Sequence, residues 1–226
     1  MLVLQKNLSS DFSLDISPTL EGIISSRLDA LDPSIRRILR LASVFGRSFT
    51  LEGLKMLVGE DVESVLKSVE ERKLIRPSRK AQGRYSFTQQ ILRDFAYKGL
   101  PEDEKEKTHL AIARYLLGNG AYKEAQDDPV IAYHFEMGGD AAMAAQYYLA
   151  AAHHARKLSS NTEAERNYQK VLTIGVDNRE LVYHAHKDLE VIFRSQGIRE
   201  QQMRSIRAME ALADETGNVS WRSAAL

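Results

Sequence analysis

Few residues in this chain have the type and spacing that chemistry needs. Ser64 and Lys67 stand three apart, the Ser-x-x-Lys spacing of an acyl-transfer nucleophile and its base. The Lys-Thr-Gly and Ser-Asp-Asn companions of that motif are missing, and Val62, Val65, Leu66 and Val69 place the pair on an amphipathic helix. Of the six histidines, His153 and His154 diverge by ~100° around a helix, and His184 and His186 by ~200°. Neither pair can grip one metal ion, and no His-Glu-x-x-His occurs. There is no Gly-x-x-x-x-Gly-Lys-Ser/Thr loop to cradle a triphosphate and no dinucleotide glycine fingerprint. The reading that follows is a chain that is not an enzyme, with no cofactor, no metal site and no catalytic residue.

The remaining candidates are charged or aromatic contacts, and their value depends on what positions them. Tyr85 and Phe87 alternate with Ser86 and Thr88, a strand with one aromatic face. The same segment runs into a helix whose Ile91, Leu92, Phe95 and Ala96 recur at helical spacing, with Thr88 placed to cap it. A polar turn, Ser78 to Arg84, precedes it, and Leu74-Ile75 opens the partner strand. Strand, basic turn, strand and helix form the end of a winged-helix unit. Arg76, Arg79, Lys80 and Arg84 give that hairpin a basic edge suited to nucleic acid or an acidic partner. Upstream, Ser17-Pro18 and Asp32-Pro33 start helices with stripes Leu20, Ile23, Ile24, Leu28, Leu31 and Ile35, Ile38, Leu39, Ala42. Thr50 and Asp61 cap two more helices.

Downstream, Leu110, Ala113, Leu116 and Leu117 mark a helix, 121–128 a loop, and Asp128-Pro129 the next helix start. Tyr148, Ala151, Ala152 and Ala155, then Ala164, Tyr168 and Val171, follow the large/small alternation of a tetratricopeptide repeat. A weaker pair runs through Leu181, Ala185, Leu189 and Ile192, then, after Gly197, Met203, Ile206 and Met209. The segment at Trp221 reads as the opening of a helix without a partner, and the chain as a piece of a longer protein.

Several segments carry a family resemblance. Thr88-Gln89-Gln90-Ile91-Leu92-Arg93-Asp94-Phe95-Ala96 resembles the end of the winged helix in STAND-type signalling ATPases, as fused to class III adenylate or guanylate cyclases, protein kinases or LuxR-type regulators. Arg27-Leu28-Asp29-Ala30-Leu31, Ile35-Arg36-Arg37-Ile38-Leu39 and Val44-Phe45-Gly46-Arg47-Ser48-Phe49 are similar to the segment the family places just after its ATPase module. His109 and Ala113 fall where the family has His-Arg-Arg-Ile-Ala, and the resemblance spans about residues 18–175. It implies a nucleotide-sensor position near the start of the helix that carries Ile91, Leu92, Phe95 and Ala96. The family's sensing histidine is replaced here by Gln89, and its aspartate by Gln90. Glutamine donates and accepts hydrogen bonds but carries no charge.

Composition sets the frame. With 226 residues, 43% hydrophobic and 27% charged, the chain suffices for one large domain or two ordinary ones. The 31 basic and 31 acidic residues cancel, which removes a general case for nucleic-acid or membrane binding. The absence of cysteine excludes disulfides and thiolate chemistry and fits the cytoplasm. The expected fold class is mainly α: residues 1–17 connecting, 18–98 a winged-helix domain with a small β-hairpin, 99–226 a degenerate repeat array. The expected function is a non-catalytic regulatory fragment. It would couple the parent's nucleotide-binding domain to a protein partner, with Tyr147, His154 and Tyr183 exposed as groove contacts. The alternative is a winged-helix DNA-binding regulator with helical oligomerisation repeats.

Overall fold

The computed structural model describes residues 18–59, 62–79, 81–118, 128–174 and 177–225. The expected connecting segment, Asp61, Lys80 and the loop at 121–127 lie outside them. The fold is mainly helical with one small antiparallel sheet, as the sequence predicts. The chain divides into two compact units, Met1–Asn119 and Gly120–Leu226. Among the described residues no helix is long and apolar enough to cross a membrane.

The first unit runs α1 (Pro18–Asp29), α2 (Pro33–Val44), β1 (Ser48–Thr50), α3 (Leu51–Val58), α4 (Val62–Glu71), β2 (Ile75–Pro77), β3 (Arg84–Phe87), α5 (Gln90–Lys98) and α6 (Glu102–Gly118). The sheet order is β1-β3-β2, with Ser48 opposite Ser86 and Ile75 opposite Phe87. The central strand's Phe87 is buried and its ring stands edge-on to Phe49, which stacks on Tyr85 at 5.9 Å. Ile38, Leu39, Leu54, Leu66 and Val69 fill the space between helices and sheet. Thr50 caps α3 as expected, its Oγ1 accepting the Gly53 N–H at 3.1 Å. Gly53 sits close to the Phe45 ring, where an added Cβ would lie 3.0 Å away and the ring would have to shift. Ile23 departs from its predicted stripe: it is exposed, while Ile24 and Leu28 face the core. The unit also extends past residue 98. Ile112 of α6 belongs to this core and Leu116 packs on it, so α6 joins the first unit and not the repeats.

The second unit is a chain of helices: α7 (Asp128–Met137), α8 (Ala141–Lys157), α9 (Asn161–Thr173), α10 (Arg179–Gln196), α11 (Arg199–Thr216) and α12 (Val219–Ala225). The N-cap positions are Asp140, Ser160, Asn178, Ile198 and Asn218, at intervals of 20, 18, 20 and 20 residues. Most turns share one construction. Gly139, Ser159, Gly197 and Gly217 take the left-handed conformation. Each donates its N–H to the carbonyl three residues back, and the next N–H reaches five back, a Schellman closure. The residue after the left-handed position occupies the N-cap position of the following helix, so two residues turn the chain. A helix pair repeats every 38 to 40 residues on these caps, longer than the 34 of a tetratricopeptide repeat. Buried Ala145, Ala152, Ala155, Ala164 and Ala185 allow close approach, and Tyr148 and Tyr168 fill the gaps between them.

Candidate functional site

The junction of β3 and α5 is the best-defined polar site of the first unit. Thr88 does not cap α5. Its Oγ1 donates to the carbonyls of Lys73 (2.9 Å) and Leu74 (3.1 Å), and its N–H to Leu74 (3.0 Å). The threonine therefore ties the strand's exit to the turn before β2, and Gln89 takes the cap position without a side-chain capping bond. Gln90 Nε2 donates to Asp94 Oδ1 at 2.9 Å, and Arg93 Nη1 meets the same oxygen at 3.1 Å. Arg93 Nε donates to the Ser43 carbonyl at 2.8 Å, and its guanidinium lies 4.9 Å from the Tyr97 ring centre. Tyr97 Oη and His109 Nε2 are 3.0 Å apart. Gln90, Arg93 and Asp94 are thus engaged with neighbours, and they tie α5 to α2 through Arg93.

Gln89 alone of this group is exposed, at the edge of a cleft of about 400 Å³. Leu28 and Leu92 contribute apolar lining, and Arg27, Arg72 and Lys73 add three cations. Arg72 faces Asp32 at 3.6 Å; Lys73 holds a left-handed backbone, φ 58°. The cleft thus combines a hydrogen-bonding amide and positive charge over an apolar base.

The basic hairpin is arranged differently. Arg76 and Arg79 are exposed, Arg84 is half-buried opposite Thr50 in the sheet, and Lys80 is outside the described residues. Gly83 makes the turn with φ 71°. The neighbouring helix α4 exposes Glu63, Lys67, Glu70 and Glu71, an acidic excess.

The three expected groove residues separate. Tyr147 is half-buried with its ring stacked on Phe135 at 5.8 Å, and burial together with the Asp128 charge raises its phenol pKa. His154 is half-buried on α8. Tyr183 is not a groove contact: it is 2% exposed, stacked on Trp221 at 4.2 Å, and its hydroxyl donates to the Trp221 carbonyl at 3.0 Å. The same stack gives α12 the partner it was not expected to have.

Sequence reasoning missed the acids that join the helices of the second unit. Asp188 of α10 accepts from His153 Nε2 (2.9 Å), from Tyr168 Oη (3.0 Å) and from Arg156. Glu136 of α7 accepts from Tyr148 Oη (2.7 Å) and Lys170 Nζ (2.8 Å). The signal was present. Asp188 falls inside the apolar stripe of Ala185, Leu189 and Ile192, and Glu136 directly follows buried Phe135. Burial and the facing carboxylates push the Tyr148 and Tyr168 phenols well above the ordinary tyrosine value. Among the described residues no group of three acids or histidines is placed to hold a metal ion.

No protein-family model matches the chain, and no curated protein does. Among solved structures, it is similar to a Signal Transduction ATPase with Numerous Domains that carries a tetratricopeptide repeat sensor, from Pyrococcus horikoshii. The identity is 13%, the TM-score 0.43, and the match covers 96% of this chain and 37% of that one.

Proposed function

We propose that the chain is a non-catalytic regulatory and interaction fragment of a STAND-type signalling ATPase, one attached to a cyclase, kinase or transcriptional output. The first unit is a winged-helix anchor for the nucleotide-binding domain, and the second is a helical array that presents its outer side chains to a protein partner. The observation that carries this reading is the regular chain of helices, most of them joined by two-residue turns, and spaced by buried alanines. Such units stack on their sequence neighbours and leave the remaining surface free to vary. The order α2-β1-α3-α4-β2-β3 with sheet order β1-β3-β2 supports the winged-helix assignment. The committed polar residues support the non-catalytic one: Arg93, His109, Glu136 and Asp188 each serve an interhelical bond.

In this reading Gln89 and Lys73 at the cleft edge face the nucleotide-binding domain. Pulldown of the parent's ATPase fragment by this chain, and loss of capture with Gln89→Ala plus Lys73→Glu, is the expected result. Equal capture by the double variant removes the cleft from the interface, and no capture at all removes the anchor role. DNA binding is the weaker reading, because the acidic face of α4 repels phosphates. A salt titration on random duplex DNA separates the two: a steep loss of affinity with salt, abolished by changing Arg79 and Arg84, would establish DNA binding.

A further inference from the structure

A second cleft of the first unit lies away from the Gln89 edge. It holds about 310 Å³ between the first turns of α2 and the corner joining α5 to α6. Pro33, Arg36, Arg37 and Arg40 line one side, and Leu100 and Glu104 the other. Three guanidiniums therefore share one small space with a single carboxylate.

Their bonding is incomplete. Arg36 is pinned, its Nη2 donating to the carbonyls of Asp29 (2.8 Å) and Leu31 (3.0 Å) and its Nη1 lying 3.8 Å from the Asp29 carboxylate, yet its buried Nε has no hydrogen-bond partner. Among the described residues, the guanidiniums of Arg37 and Arg40 make no hydrogen bond or ion pair; the Arg40 carbonyl is engaged, accepting the Ser43 hydroxyl. Arg40 is half-buried, and a Cβ added at Gly99 would lie 3.0 Å from its Nε, so its guanidinium runs along the chain at that corner. Half-burying a guanidinium without an acceptor is costly unless something fills the role. The site also lies at the start of α2, where Asp32 makes no side-chain capping bond and the helix dipole favours negative charge.

We propose that this cleft binds the phosphomonoester of a small organic molecule. Paired arginine forks match the oxygens of a phosphoryl group. Leu100 and Pro33 offer an apolar wall to the organic part, and Glu104 is an acceptor for a hydroxyl. The volume is at the lower limit for small-ligand sites, which fits a sugar phosphate or a mononucleotide. The inference is independent of the signalling role proposed above, and either can fail alone.

Isothermal titration calorimetry on the whole 226-residue chain tests it, with inorganic phosphate, ribose 5-phosphate, AMP and a phosphoserine peptide as probes. Ribose 5-phosphate or AMP is expected to bind with Kd on the order of 0.1–1 mM, at least ~3-fold tighter than inorganic phosphate. Tighter binding of AMP than of ribose 5-phosphate identifies a nucleotide, and equal binding a sugar phosphate. Arg40→Gln should weaken the better ligand ~10-fold, and Arg37→Gln, at an exposed position that folding does not need, should weaken it similarly. Removing the opposing charge with Glu104→Gln should not weaken inorganic phosphate. The proposal is overturned by any of three results: no saturable binding of either organic phosphate, binding unchanged in both arginine variants, or binding of the phosphoserine peptide alone.

Discussion

Single side chains in this protein do their work by closing hydrogen bonds between helices, and two of them make stability depend on pH. Burial alone would push the Asp188 carboxyl up; the bonds from His153 and Tyr168 and the Arg156 charge outweigh it and hold it below the ordinary carboxylate value. A depressed acid stabilises the fold above its unfolded pKa, near ~4, and the contribution disappears as pH falls through the folded value. Asp188→Ala strands three donors at once, so it should cost about 2–3 kcal/mol at pH 7 in urea unfolding of the second unit. A cost under ~0.5 kcal/mol would mean that the cluster is decorative. His109 carries the opposite charge logic with the same sign of pH dependence. Full burial, with the charges of Arg93 and Lys105 nearby, drives its imidazole pKa down to about 3, so it folds neutral. The unfolded chain takes up that proton below ~6.5, and stability of the first unit should fall steadily from there towards pH 3. His109→Gln should flatten that slope, and NMR should show the His109 ring unprotonated at pH 5. A ring that titrates near 6.5 would contradict the buried geometry.

At the level of helices and turns, the left-handed closing position decides how cheaply each turn is made. Gly139, Gly197 and Gly217 adopt it without cost, whereas Lys73 and Ser159 carry a Cβ into the same region at φ 58°. Lys73→Gly and Ser159→Gly should therefore each raise stability by about 0.5–1 kcal/mol, and Gly197→Ala should lower it by about 1 kcal/mol. Nothing lies within 4 Å of a Cβ built at Gly197, so that loss would be conformational and not steric. Thermal unfolding of the three variants checks the ranking; a destabilised Ser159→Gly would show that its hydroxyl matters more than its backbone. These turns also show what the sequence made legible. Gly139 and Gly197 announce their breaks, and the helix starts at Pro33 and Asp128 are plain, because proline and glycine act through local backbone geometry alone. Thr88 misled because a hydroxyl before a helix has two equally short choices, and here the carbonyls of the β2 entrance won over the cap. Tyr183 misled for a related reason. Its register along α10 puts it outside the main apolar stripe, and Met209, Leu212 and Trp221, distant in sequence, cover it. The arginine-lined cleft was not legible for a similar cause: Arg36, Arg37 and Arg40 share it only once Leu100 and Glu104, distant in sequence, are placed opposite.

Over the whole molecule, the two units have separate cores and different kinds of order. The first is built from contacts distant in sequence, Phe49 against Phe87 and Arg93 against Ser43, so removing one core residue loosens the sheet and helices together. The second is built mainly from helices packed on their sequence neighbours, and its energy is close to a sum over those pairs. The sole tryptophan, Trp221, sits in the second unit on Tyr183, and its fluorescence therefore reports that unit alone, whereas far-ultraviolet circular dichroism reports helices in both. Leu39 is 1% exposed in the first core, and Leu39→Ala should remove about 3 kcal/mol there. The expected outcome is an early dichroism transition that moves to lower urea while the Trp221 fluorescence transition stays within error of wild type. Tyr168→Ala, in the second core, should do the reverse and also release Asp188 from one of its three donors. If Leu39→Ala shifts both signals equally, the chain unfolds as one cooperative block, and the two units are not separate folding units.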